Sequence, residues 1–313
     1  EAPSGIHHET AFEEALRRTM ARLQSRLRTR SPFLAGLLIN WTVGLAAGEK
    51  PERYFTHPVA FPILLLPWWL EESLAGDVDR PFQADLMYSS VCAYYGIRLV
   101  DDVMDLRDAA STDLLPAAGL FQHEFQSTYY QHFPPRHPFW GQFDDAWARC
   151  AEATVRDARL SVNDAATFAE VCSMKVSAAM IPMIAVSLRH GCASLPPTWS
   201  QVFELFSRWH QFYNDFFDCK RDHDNGAHTL FLSEWRRRRI ADEPLMSWVV
   251  REGFDWGLAQ LLAWSGELAL LAVETGSEPL QAYLRRRQAL LLQTAQEVAP
   301  GMVVFRRLLL VSA

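Results

Sequence analysis

The chain has 313 residues, 49% of them hydrophobic and 21% charged, which is enough apolar material for a large core and excludes a disordered chain. A net charge of −7 excludes a surface built for nucleic acid; the one basic run, Arg236 to Arg239, reads as a solvated helix end or a lid contact. Cys92, Cys150, Cys172, Cys192 and Cys219 are scattered, with no CxxC pair and no histidines at zinc spacing, so they read as reduced core residues of a cytoplasmic protein.

The first element in chain order is an amphipathic helix over 9–27, "ETAFEEALRRTMARLQSRL". It follows a start with no visible signal peptide, although the chain opens on Glu1 and not on Met. The apolar run "PVAFPILLLPWWL" at 58–70 is too short for a membrane span of about 20 residues and is interrupted by Pro62 and Pro67. A long helix is expected to begin near Pro81 and to end in "YYGIRLVDDVMD". Further stripes at helical spacing cover 120–133, 140–160, 256–276 and 283–298, and no alternating strand pattern with turn pairs is present. Breaks are expected at Ser31-Pro32, Gly76 to Pro81, Ser111 to Asp113, Pro134-Pro135, Ser194 to Pro197, Asp222 to Gly226 and Pro300-Gly301. These cut the chain into roughly ten to twelve helices, with no repeat and no linker between them. The expectation is therefore all-α: one large helical bundle over residues 1–313, built around a central cavity.

Two acidic clusters carry the chemistry. In "DDVMD", Asp101 and Asp105 share a helix face and Asp102 lies about a third of a turn away, a crowding of like charge that destabilises its own helix. Such a cluster is either the start of a solvated surface or a site for a hard divalent cation, which takes oxygen ligands. Downstream, "FSRWHQFYNDFFDCKRDHDNG" repeats the design: Asn214, Asp218 and Asp222 stand at i, i+4 and i+8, and Gly226 follows where the helix should end. Two helices of this shared polarity would bring both clusters to one rim. The pair Asp144-Asp145 has no such company and reads as a solvated helix face, and His210, His223 and His228 fit no metal pattern and read as outer groups or a lid.

The pair "DDVMD" and "NDFFDCKRD", 113 positions apart (214 − 101), resembles the two metal motifs of the class I isoprenoid synthases, the terpene cyclases and trans-prenyl diphosphate synthases. The resemblance covers residues 80–235 and implies three Mg²⁺ ions held with diphosphate. It assigns Asp101 and Asp105 as ligands, Asp102 as a lesser one, and Asn214, Asp218 and Asp222 as the first, fifth and ninth residues of a cyclase motif NDxxSxxxE, with Asp replacing Ser and Glu. "HQFYNDFFD" also resembles the FQxxDDxxD of the elongating enzymes, with Gln211 in the Gln position, and "MKVSAA" resembles their Lys-Thr motif, which makes Lys175 a diphosphate donor. Arg221 matches the basic residue before the last cyclase ligand. Arg306 and Arg307 lie near where cyclases carry an Arg-Tyr pair, without the Tyr.

Elongation needs a second diphosphate pocket, built in the family from GGKRxRP and an arginine pair after the first motif. This chain has "GEKPERYFTHP", a single Arg107, and "NGAHTL" without the lysine of GKxTL. The resemblance thus implies a cyclase that ionises a C15 or C20 allylic diphosphate, farnesyl or geranylgeranyl diphosphate, and releases a cyclic terpene. A chain-elongating prenyltransferase and a catalytically silent partner subunit or lipid-binding module stay open as alternatives. Helical position puts Tyr94 and Ile97 on the face of Asp101, and Ser207 and Gln211 on that of Asn214, as candidate substrate contacts. Family habit adds a homodimer.

Overall fold

The computed structural model describes the backbone of residues 5–104, 109–160 and 163–311, and the side chains of residues 11–104, 112–160 and 163–301. Among the described residues every regular element is helical. The chain begins with α1 (Gly5–Arg30), α2 (Pro32–Leu45), α3 (Glu52–Thr56), α4 (Leu65–Ala75) and α5 (Arg80–Met104). It continues with α6 (Ala109–Leu114), α7 (Pro116–Tyr129), α8 (Phe139–Ala158), α9 (Ala165–Lys175) and α10 (Ile181–Arg189). The last segments are α11 (Pro197–Phe217), α12 (Cys219–Asp224), α13 (Leu230–Arg238), α14 (Leu245–Trp248), α15 (Phe254–Glu274) and α16 (Glu278–Val311). The all-α expectation holds, and the sixteen segments exceed the expected ten to twelve because α3, α6, α12 and α14 are pieces of six residues or fewer. Two expected breaks are helical instead. Ser111 to Asp113 lies inside α6, where no Gly or Pro forbids the helix, and Pro300 lies inside α16, where its missing N–H removes one hydrogen bond of a 34-residue ladder.

The helices group into two compact units, one formed by Glu1–Asp145 with Ala178–Leu195, the other by Ala146–Ser177 with Pro196–Ala313. In the first, α5 is the central helix, packed against α1 and α7 through Phe82, Leu86, Val91, Cys92, Tyr95 and Leu99, all almost fully buried. Gly96 lets α7 come close, since an added Cβ there would sit 3.3 Å from Cβ of Phe121. Polar ties fix α1 to its neighbours: Arg22 reaches Asp85 at 2.7 Å, and Glu124 accepts from Arg26 and from the Tyr88 hydroxyl, each at 2.8 Å. The second part of the apolar run with two prolines, from Leu65 on, enters α4, with Leu66, Trp68, Trp69 and Leu70 buried and Pro67 in the first turn, where a missing N–H costs no helical hydrogen bond; Pro62 lies before the helix.

In the second unit α11 is central and packs against α9, α13 and α15, while α15 also lies along α16. The indole of Trp209 donates to the Leu261 carbonyl at 3.0 Å and to the Ser265 hydroxyl at 2.9 Å, pinning α11 to α15. Gly257 makes that approach possible: a Cβ there would fall 2.6 Å from the Phe216 ring. The stretch Leu245–Glu274 is long and apolar enough to cross a membrane by length and composition, and its Phe254, Gly257, Leu261, Leu268 and Ala272 are buried. Arg236, Arg237 and half-buried Arg238 close α13, paired locally with His228 and Glu234, and Arg239 follows the helix over the Trp235 ring, as expected of a solvated helix end. Four of the five cysteines are buried, Cys192 is half-buried, and all five are free thiols.

Candidate functional site

Asp101 and Asp102 stand next to each other on α5, where two adjacent carboxylates crowd like charge. Arg98, one turn earlier, compensates: its Nη2 lies 3.0 Å from Asp102 Oδ1 and its Nη1 3.6 Å from Asp101 Oδ2. Burial works against the Arg98 charge, but Tyr94, Asp102 and Asp101 together raise its pKa above the ordinary arginine value. Asp102 is buried, Asp101 and Ile97 are half-buried, and Asp105 lies outside the described residues. Tyr94 hydrogen-bonds through its hydroxyl to that of Tyr54 on α3, and burial pushes its phenol well above the usual range. Phe55 and Tyr95 complete an aromatic cluster one to two turns before the acids. In the stretch "GEKPERYFTHP", Lys50 is exposed and Arg53 is 3.5 Å from Glu49.

Asn214 stands in the last turn of α11, and Asp218 is both the end of that helix and the start of α12. Although α11 stops there, the amide of Asp218 donates to the Asn214 carbonyl at 2.8 Å and that of Asp222 to the Asp218 carbonyl at 3.0 Å. The i, i+4, i+8 register therefore survives the break. Asn214 is exposed, and Asp218 and Asp222 are half-exposed. Arg221 donates to Asp218 and lies 3.8 Å from Asp222, so this cluster, like the first, carries an arginine from its own helix. Phe217, Asp218, Lys220, Arg221, Asp224 and Asn225 line an open hollow of about 530 Å³ beside it.

Next to this row in the chain lies a buried group that sequence reasoning missed. Asp215 is only 3% exposed and accepts a 2.8 Å hydrogen bond from the Gln211 amide. Burial raises its pKa to about 7; the Gln211 bond opposes the rise, and the charges of Asp222 and Asp157 add to it. Asp157 on α8 holds Lys175 at 2.6 Å, so Lys175 is tied to a carboxylate whose field reaches the second cluster. Burial and the charges of Asp215 and Asp157 push the thiol of Cys172 well up. The only sequence signal for Asp215 was its place in "HQFYNDFFD"; for Asp157 there was none.

Other candidates are committed elsewhere. Ser207 is buried and its hydroxyl donates to the Phe203 carbonyl at 2.7 Å, within its own helix, and Gln211 is engaged with Asp215. His210 has its pKa lowered to about 3 by burial and by the charge of Arg287, whose guanidinium donates to His210 Nδ1 at 3.0 Å and to the Tyr283 hydroxyl at 2.8 Å. That imidazole is a neutral acceptor within a cation–π stack, with Arg287 4.6 Å from the Trp209 ring. His223 lies 3.4 Å from Asp224. Asp144 and Asp145 are exposed. The backbone at Arg306 and Arg307 belongs to α16, and their side chains lie outside the described residues.

The donor set of the two clusters is all oxygen, carboxylate and amide, and apart from buried Asp102 its described members reach solvent. Among the described residues no group of three or more His, Cys, Asp or Glu side chains is placed to hold a metal ion, and Asp105 of the first cluster lies outside them. Oxygen donors of this kind suit a hard ion such as Mg²⁺, which keeps waters and takes ligand oxygens to complete its shell, and do not suit zinc.

No family model matches the chain, and no curated protein matches it in sequence. Among solved structures it is similar to a geranylgeranyl pyrophosphate synthetase from the archaeon Geoglobus acetivorans, at 15% identity and a TM-score of 0.60 over 90% of this chain and 98% of that one. It is also similar to T. brucei FPPS, solved in complex with a chlorobenzothiophenyl acetic acid, at 12% identity and a TM-score of 0.56 over 91% of this chain and 99% of that one. The chain therefore has the all-helical fold of these two synthases.

Proposed function

We propose that the protein is a Mg²⁺-dependent enzyme of prenyl diphosphates, and that it elongates them. The sequence resemblance favours cyclisation, but both structural neighbours are named as prenyl pyrophosphate synthases, which supports the elongating alternative. One observation carries the reading: Asp215, held by Gln211, is buried next to Asn214, which is exposed, and within one to two turns of Asp218 and Asp222, which are half-exposed. That is the order Gln, Asn/Asp, Asp, Asp of the FQxxDDxxD motif, folded with one acid inside and the others outward.

Asp101 and Asp102, with Asp105, and Asn214, Asp218 and Asp222 are the residues that would hold metal. Bound Mg²⁺ would neutralise the leaving group as its charge develops. Lys175 and Arg221 are assigned to the diphosphate oxygens, each released from its carboxylate partner. In the reaction the allylic C–O bond breaks and diphosphate leaves with the electron pair. The double bond of isopentenyl diphosphate then attacks the allylic cation, a C–C bond forms, and the released diphosphate takes up the proton lost as the new double bond forms, which gives the longer allylic diphosphate. The aromatic cluster of Tyr54, Phe55, Tyr94 and Tyr95 supplies ring faces that attract a cation by about 0.5–2 kcal/mol each.

Cyclisation of one allylic diphosphate remains the second reading because of a specific observation: only Lys50 and Arg53 stand where elongating enzymes carry GGKRxRP, and Arg53 faces Glu49. Incubation with geranyl, farnesyl or geranylgeranyl diphosphate and Mg²⁺, with and without isopentenyl diphosphate, separates the two by product class. A longer prenyl diphosphate supports elongation; a hydrocarbon or alcohol formed without isopentenyl diphosphate supports cyclisation.

A further inference from the structure

Arg98 has no part in the motifs above, yet it is the charge that offsets the paired acids Asp101 and Asp102. Two carboxylates crowd there, and the guanidinium spans both from 3.0 and 3.6 Å. Arginine does not lose its proton at any working pH, so it leaves these acids only by being displaced. A divalent ion on Asp101 and Asp102 would do that, since it replaces the attraction with repulsion at close range. The Arg98 side chain is 29% exposed and long, so it can turn away, and its planar fork matches two oxygens of a diphosphate.

We propose that Arg98 is a transferable counter-ion: it neutralises Asp101 and Asp102 in the metal-free protein, yields them to the metal, and turns its fork onto the diphosphate that arrives with the metal. The proposal rests on the assignment of Asp101 and Asp102 as metal ligands. Its consequence is that metal alone binds weakly, because it competes with Arg98, and that metal and diphosphate favour each other's binding.

The test is a pair of titrations on the full chain. Mn²⁺ alone is followed by electron paramagnetic resonance of the free ion, and inorganic diphosphate in excess Mg²⁺ by calorimetry, for the wild type, R98Q and R98K. R98Q should bind Mn²⁺ about 5-fold more tightly, the scale of a partly exposed ion pair, and diphosphate about 10-fold more weakly, the scale of a charge-assisted bidentate contact. These opposite signs are the signature of transfer. A merely structural clip would weaken both ligands together or leave both unchanged, and either result overturns the proposal. Should R98Q not fold, R98K decides on the difference between the two ligands: lysine keeps the charge, so Mn²⁺ binding should stay near the wild-type value, but it lacks the fork, so diphosphate should bind more weakly. A wild type that binds diphosphate with Mg²⁺ while the variants match it refutes the role of Arg98 alone. A wild type that binds no diphosphate with Mg²⁺ refutes the proposed function and the role of Arg98 with it.

Discussion

Gln211 donates to Asp215 at 2.8 Å, one turn apart on α11, and this bond holds a carboxylate that burial raises to about 7. In the unfolded chain the same group titrates near 4, so between those values the folded protein keeps a proton that the unfolded chain has lost. Its contribution to stability is therefore fully present below about pH 4 and is lost as pH rises through about 7. Asp215→Asn keeps an acceptor for Gln211 and removes the titration. The melting temperature of the variant relative to wild type should rise between pH 5 and pH 8, by thermal unfolding in matched buffers. Parallel curves would show that Asp215 is ionised throughout.

Asp101→Asn and Asn214→Ala should each abolish or severely reduce turnover while leaving helical content and melting nearly unchanged. Both side chains reach solvent, and Asp102 remains to partner Arg98 when Asp101 is neutralised. Circular dichroism alongside turnover checks this. Extensive unfolding in either variant would make these residues structural.

Lys175→Ala should lower turnover by about 10²- to 10³-fold if the lysine serves the leaving group. Its partner Asp157, 33% exposed, should make the stability loss only about 1 kcal/mol. Steady-state kinetics with a denaturant titration separates the two effects. Unchanged turnover would leave Lys175 as the holder of Asp157 and move the assignment to Arg221.

Gly257→Ala should destabilise the second unit by about 1–3 kcal/mol, because the new methyl collides with the Phe216 ring at 2.6 Å and approaches Phe231 at 3.2 Å. Phe216 adjoins Asp215, so the strain falls beside the second acid row. Urea unfolding reads the loss, and a change below about 0.5 kcal/mol would mean that α11 and α15 shift apart freely.

The start of helix α5 was legible because Pro81 and the apolar stripe mark it; the helix begins at Arg80 and is described as far as Met104. The acid rows were legible for the same reason, being patterns within one turn or two. What sequence did not reveal depends on distant partners. Lys175 meets Asp157 from 18 positions away, and the fields of Asp157 and Asp222 reach Asp215 only once α8, α11 and α12 are packed. Ser207 shows the limit of a helical wheel: the face can be counted, but its hydroxyl is taken by the backbone of Phe203. Arg98 was within reach, since i+3 and i+4 to two aspartates is a local signal.

The most direct measurement is diphosphate release from geranyl, farnesyl and geranylgeranyl diphosphate with Mg²⁺, with and without isopentenyl diphosphate, alongside identification of the organic product. Mg²⁺-dependent release should require isopentenyl diphosphate and yield a longer prenyl diphosphate. Release of hydrocarbon without isopentenyl diphosphate would contradict elongation in favour of cyclisation. No release under either condition would contradict prenyl diphosphate chemistry altogether.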